Sequence, residues 1–114
     1  MKTIKLQDFS DSPEHQKAVA RTLENGGLVC VPCRGTYRIL ADFDDVRAVT
    51  SLMQSKRRTK KAPSLVFVQS VDQLKKIVFQ VEPLAEKLAN SLWPGPLTIL
   101  FEPSDDIPKK VLKQ

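Results

Sequence analysis

Long apolar runs are missing. No stretch approaches the roughly 20 residues that cross a bilayer, and the opening Met1-Lys2-Thr3-Ile4-Lys5 has no apolar segment followed by a small-residue cleavage site. These absences predict a protein without membrane contact, held in the cytosol. Cysteine is scarce, with Cys30 and Cys33 alone, which excludes a disulfide framework and fits free thiols. His15 is the only histidine, so a zinc site lacks ligands and a hydrolase triad lacks a base at motif spacing. Neither a G-x-x-x-x-G-K-S/T loop nor a G-x-G-x-x-G turn occurs, so neither common nucleotide-binding fingerprint is present. What remains is ordinary for one folded domain: 114 residues, 41% hydrophobic and 27% charged.

The net charge of +5 is local. Lys56, Arg57, Arg58, Lys60 and Lys61 fall in one short window without an acid, and outside it 13 basic residues balance 13 acidic ones. A cationic patch of this kind attracts phosphates and nucleic acid more effectively than the same charge spread over a surface, although a solvated loop reads the same way.

Along the chain, Ser12-Pro13-Glu14 reads as an N-cap, a proline at the first helical position and a first-turn acid, and the helix stops at Gly26-Gly27. Leu28 to Pro32 is a continuous apolar run that predicts a strand buried on both faces. Cys33 to Tyr37 reads as a loop, with a short extended stretch around Arg38 to Ala41. Carboxylates from Asp42 to Asp45 then cap a helix with Val46, Val49, Leu52 and Met53 on one face. Leu65 to Val68 and Leu97 to Phe101 predict two further strands. Between them, Asp72 to Phe79 and a segment opening at Pro83, with Leu84, Ala85, Leu88, Ala89 and Leu92 as its apolar face, predict two amphipathic helices. The alternation argues an α/β or α+β sheet with helices packed on it.

Cys30-Val31-Pro32-Cys33 is a C-x-x-C. Strand alternation points its two thiols to opposite faces, and Cys30 reads as a small core hydrophobe rather than a redox nucleophile. His15 reads as a surface residue of a first helical turn, and Trp93, leading into prolines and a glycine, as a packing residue. If the cationic loop folds over the end of the first strand, Lys56 and Arg58 meet the turn from Cys33 to Tyr37 in one crevice, a place suited to a phosphate or carboxylate.

Three segments together carry a family likeness. Gly26-Gly27-Leu28-Val29-Cys30-Val31-Pro32 with Tyr37 after it, Lys56-Arg57-Arg58 with Pro63 downstream, and Leu92-Trp93-Pro94-Gly95-Pro96-Leu97-Thr98 resemble the YrdC-like family of threonylcarbamoyl-adenylate synthases, from about Pro13 to Lys110. The resemblance implies an α/β (α+β) fold, a twisted mixed sheet with packed helices. It also implies one domain over residues 1–114 that matches the N-terminal part of the usual family domain, with a concave basic cleft for double-stranded RNA and tRNA. The implied chemistry condenses L-threonine, bicarbonate and ATP into threonylcarbamoyl-AMP for tRNA modification. ATP, with magnesium, enters as substrate, and no tightly bound cofactor is implied. Carried over residue by residue, Lys56 and Arg58 take the catalytic, phosphate-facing role, and Cys33 and Tyr37 the substrate-binding positions. Arg34, Arg38, Arg57, Lys60 and Lys61 are candidate RNA contacts on a different ground, the positive charge they add to the turn and the basic window.

The departures are specific. The family pattern Pro-Thr-Asp-Thr-x-Tyr-Gly-Leu stands here as Pro32-Cys33-Arg34-Gly35-Thr36-Tyr37-Arg38-Ile39, which keeps only the proline and the tyrosine. The family's Ser-x-Asn nucleotide motif is absent, since neither Asn25 nor Asn90 has serine two residues before it. Two readings stay open: a piece of a catalytic domain, or an RNA-binding or accessory relative without catalysis.

Overall fold

The structure, a computed structural model, describes residues 2–56 and 65–108. The chain divides into two compact units, Met1–Lys61 and Ala62–Gln114.

In the first unit, α1 spans Leu6–Asp11 and α2 Pro13–Glu24. The short α1 carries no periodic apolar signal. Its C-terminal carbonyls are satisfied from α2: the Gln16 side-chain amide donates to the Phe9 and Ser10 carbonyls at 3.1 and 3.3 Å, and the His15 ring lies 3.3 Å from the Asp8 carbonyl. A carbonyl only accepts, so His15 Nδ1 is the donor in that contact, and this histidine locks a helix corner. The expected start of α2 is present, with Ser12 Oγ accepting from the His15 amide at 3.3 Å and Pro13 at the first position. The helix ends where the chain reaches Asn25-Gly26. Then β1 (Val29–Cys33) pairs antiparallel with β2 (Thr36–Leu40), and α3 covers Val46–Lys56. Asp45 Oδ1 caps α3 by accepting from the Arg47 and Ala48 amides at 3.0 and 3.2 Å. Ala48 and Val49 are its buried residues, and α2 packs against α1 and β1.

The second unit holds α4 (Val71–Lys75) and α5 (Pro83–Leu92), which pack on each other. Ser70 caps α4 by accepting from the Gln73 amide at 3.1 Å. The small core consists of Leu74, Val78 and Ala89. Phe79 donates to the Glu102 carbonyl and Ser104 to the Ile77 carbonyl, flanking a single bridge between Val78 and Pro103. After α5, the cis Trp93–Pro94 bond enters a tight loop closed by the indole N–H of Trp93, which donates to the Leu97 carbonyl at 2.8 Å. Trp93 is half-buried, in keeping with a packing role.

The mixed α/β class holds, but the strands differ from expectation. Among the described residues the only sheet is the two-stranded β1–β2 hairpin. The run from Leu28 to Pro32 is not buried on both faces: β1 alternates half-buried and exposed, and Cys30 is exposed rather than in a core. A continuous apolar run cannot report how many neighbours a strand has, and one partner leaves both faces open. Leu65–Val68 and Leu97–Phe101 belong to no strand ladder among the described residues. Both retain the period of two, with Val66, Val68, Leu97, Ile99 and Phe101 half-buried and the residues between them exposed. The helix expected over Asp72 to Phe79 is shorter, ending at Lys75. Among the described residues no helix is long and apolar enough to cross a membrane.

Candidate functional site

The segment from Cys33 to Tyr37 is a hairpin end rather than an open loop. Cys33 pairs with Thr36 across a two-residue turn, and both turn residues have positive φ, 44° at Arg34 and 78° at Gly35. That is the turn whose twist matches the flanking strands, and glycine at its second position adopts such a backbone without steric cost. A Cβ added to Gly35 would meet nothing within 4 Å, so the tip is open.

Register assigns the faces. Val29, Val31 and Cys33 share one face with Leu40, Arg38 and Thr36, while Cys30 and Pro32 share the other with Ile39 and Tyr37. Cys33 and Tyr37, expected to hold one substrate, therefore sit on opposite faces: Cys33 is half-buried, and Tyr37 is 75% exposed beside Pro32. Arg34 and Arg38 are both exposed, at the tip and on the Cys33 face respectively. Thr36, opposite Cys33, places a hydroxyl on that face. Matching residue by residue passes over it, because a threonine one position beyond the family's second threonine is recognisable only once Gly35 is seen as a turn position.

Lys56 is the exposed last residue of α3, where a cation also complements the helix dipole. Arg57, Arg58, Lys60 and Lys61 lie outside the described residues. Among those described, the one ion pair is Lys75 with Glu86 at 3.5 Å, on the second unit. Arg34, Arg38 and Lys56 thus have no carboxylate within bridging distance among the described residues. Arg34 and Arg38, exposed on one hairpin with Thr36 between them in sequence, suit an anionic ligand such as a phosphate.

A groove of about 350 Å³ in the second unit is lined by Phe79, Ala85, Ile99 and Leu100 together with two acids, Glu82 and Glu102. Among the described residues no group of three histidine, cysteine, aspartate or glutamate side chains could hold a metal ion.

The Sua5/YciO/YrdC family, whose description is "Telomere recombination", matches residues 21–114, and the chain belongs to that family. It is 30% identical over 95 residues to threonylcarbamoyl-AMP synthase of Pyrococcus abyssi, covering 83% of this chain and 28% of that protein. The putative threonylcarbamoyl-AMP synthase of Methanocaldococcus jannaschii is 30% identical over 116 residues, covering 98% of this chain and 55% of that protein. For the threonylcarbamoyl-AMP synthase of Aliivibrio fischeri the identity is 29% over 83 residues, with 70% and 44% covered. The chain spans between about a quarter and just over half the length of these relatives.

Proposed function

We propose that this chain is a cytosolic RNA-binding member of the threonylcarbamoyl-AMP synthase family, whose basic hairpin engages the phosphates of duplex RNA or tRNA, and that its 114 residues do not by themselves form threonylcarbamoyl-AMP. The observation that carries the reading is the hairpin end: Arg34 and Arg38, with Thr36 between them in sequence, are exposed and make no ion pair among the described residues. Lys56, Arg57, Arg58, Lys60 and Lys61 add cations close in sequence to the end of α3. Arg34 supports it further. An arginine in a left-handed backbone position costs local stability that asparagine there largely avoids, which favours a role for the side chain over one for the turn.

The enzyme reading draws on the retained Pro32 and Tyr37 and on the names of the relatives. It needs a site for L-threonine and ATP with magnesium. Against it stand the substitutions at positions 33–35 and the placement of Cys33 and Tyr37 on opposite faces of the hairpin.

Titrating the purified chain with an RNA duplex and with tRNA over a range of salt tests the proposal. Affinity should fall steeply with salt, and Arg34→Ala with Arg38→Ala should lower the log–log salt slope by about one for each phosphate that the variant no longer neutralises. Lys56→Ala with Arg58→Ala should act in the same direction. Binding that ignores salt, or a double variant with the slope of the parent, refutes the RNA reading.

A further inference from the structure

Hairpin register also decides where the backbone groups point. A two-residue turn closes on a hydrogen-bonded pair, here Cys33 with Thr36, so alternation makes Pro32–Tyr37 and Cys30–Ile39 the non-hydrogen-bonded pairs. The amides and carbonyls of Tyr37 and Ile39 therefore face away from β1. No hydrogen bond among the described residues meets them. On the opposite edge Pro32 has no N–H to offer, which blunts that side for pairing. The open edge of β2 is flanked by the exposed side chains of Tyr37 and Ile39 on one face and Arg38 on the other.

We propose that the outer edge of β2 is a strand-addition site for a protein partner that presents an extended segment alternating apolar and acidic residues. An antiparallel segment bonded to Tyr37 and Ile39 sets its central residue directly opposite Arg38, at the closest cross-strand spacing, about 4.5 Å between Cα atoms. A carboxylate at that position meets a guanidinium with no acid partner among the described residues. The neighbours of that acid lie beside Tyr37 and Ile39, where apolar side chains continue the exposed face that includes Pro32 and Cys30. The same geometry rejects a second copy of the chain. Symmetric pairing that uses both outward residues of each β2 sets Arg38 against Arg38, like charge opposite like charge. The inference goes beyond the RNA reading and shares only Arg38 with it.

Amide hydrogen exchange, followed by NMR on the whole chain, tests the proposal with a short synthetic peptide alternating valine and glutamate. At saturation the Tyr37 and Ile39 amides should exchange about tenfold more slowly or slower still, while the Arg38 amide, already bonded to Val31, changes little. A peptide N-methylated at the bonding positions should lose the effect, and a valine–lysine peptide should not bind. Arg38→Glu, at an exposed position, should weaken the glutamate peptide about tenfold and favour the lysine peptide, with circular dichroism confirming the fold. Unchanged exchange at Tyr37 and Ile39, or equal binding of the N-methylated peptide, overturns the proposal. So does self-association that protects these amides without peptide. Protection by duplex RNA but not by peptide overturns it too and assigns the edge to nucleic acid. A failure of RNA binding leaves a positive peptide result standing.

Discussion

Arg34 sits at φ 44°, where an L side chain costs about 1–2 kcal/mol, in a turn that an Asn-Gly pair builds with little of that cost. Arg34→Asn should therefore stabilise the chain by about 0.5–1 kcal/mol, read from the urea midpoint, while weakening RNA binding. A gain in both stability and affinity would remove any role for the guanidinium. At Trp93 the balance is reversed. Its indole N–H holds the Leu97 carbonyl at 2.8 Å and closes the Trp-Pro-Gly-Pro loop, so Trp93→Phe should cost about 1 kcal/mol with RNA affinity unchanged. Within that loop a Cβ on Gly95 would overlap the Leu92 carbonyl oxygen, which explains a glycine where φ alone does not demand one. The roles of Trp93 and Gly95 depend on how the chain closes on itself, a feature no local pattern announces. Arg34 was legible as a cation, but its strained backbone was not.

Helices were more readable than strands. Ser12-Pro13 and Pro83 mark helix starts because caps and prolines act within one turn of their own position, and both starts stand where the sequence sets them. The strand segments alternate as strands do, yet Leu65–Val68 and Leu97–Phe101 lack a ladder among the described residues, since a strand is completed by another segment's backbone. Helix α5 shows how far amphipathic pattern and burial can part. Its apolar stripe is real in sequence, but only Ala89 is buried, while Leu84 is 67% exposed and Leu88 and Leu92 are open as well. Stability should follow burial rather than pattern. Leu74→Ala should cost about 2–4 kcal/mol, and Leu84→Gln less than about 0.5 kcal/mol, in urea denaturation. Similar costs at the two positions would mean that the face of α5 is covered in solution.

For the whole chain, the decisive quantities are charge and site completeness. Phosphate attraction needs only clustered cations and so follows from composition and sequence order, whereas acyl-adenylate chemistry needs L-threonine, bicarbonate and ATP held together. The purified chain should release no pyrophosphate above background from ATP in the presence of L-threonine and bicarbonate. Threonine-dependent release would establish catalysis in these 114 residues and displace the binding reading.

The sequence by itself determined the family, the helix starts, the cationic window and the mixed α/β class, because each depends on neighbouring residues or on composition. Tertiary structure alone decided that Cys33 and Tyr37 face opposite ways, that Cys30 is exposed and that no described residue bonds the outer edge of β2. Those outcomes turn on one two-residue turn. In a hairpin, shifting the pairing by a single residue exchanges the faces of every side chain, and that register is set by contact between two segments rather than by either segment alone.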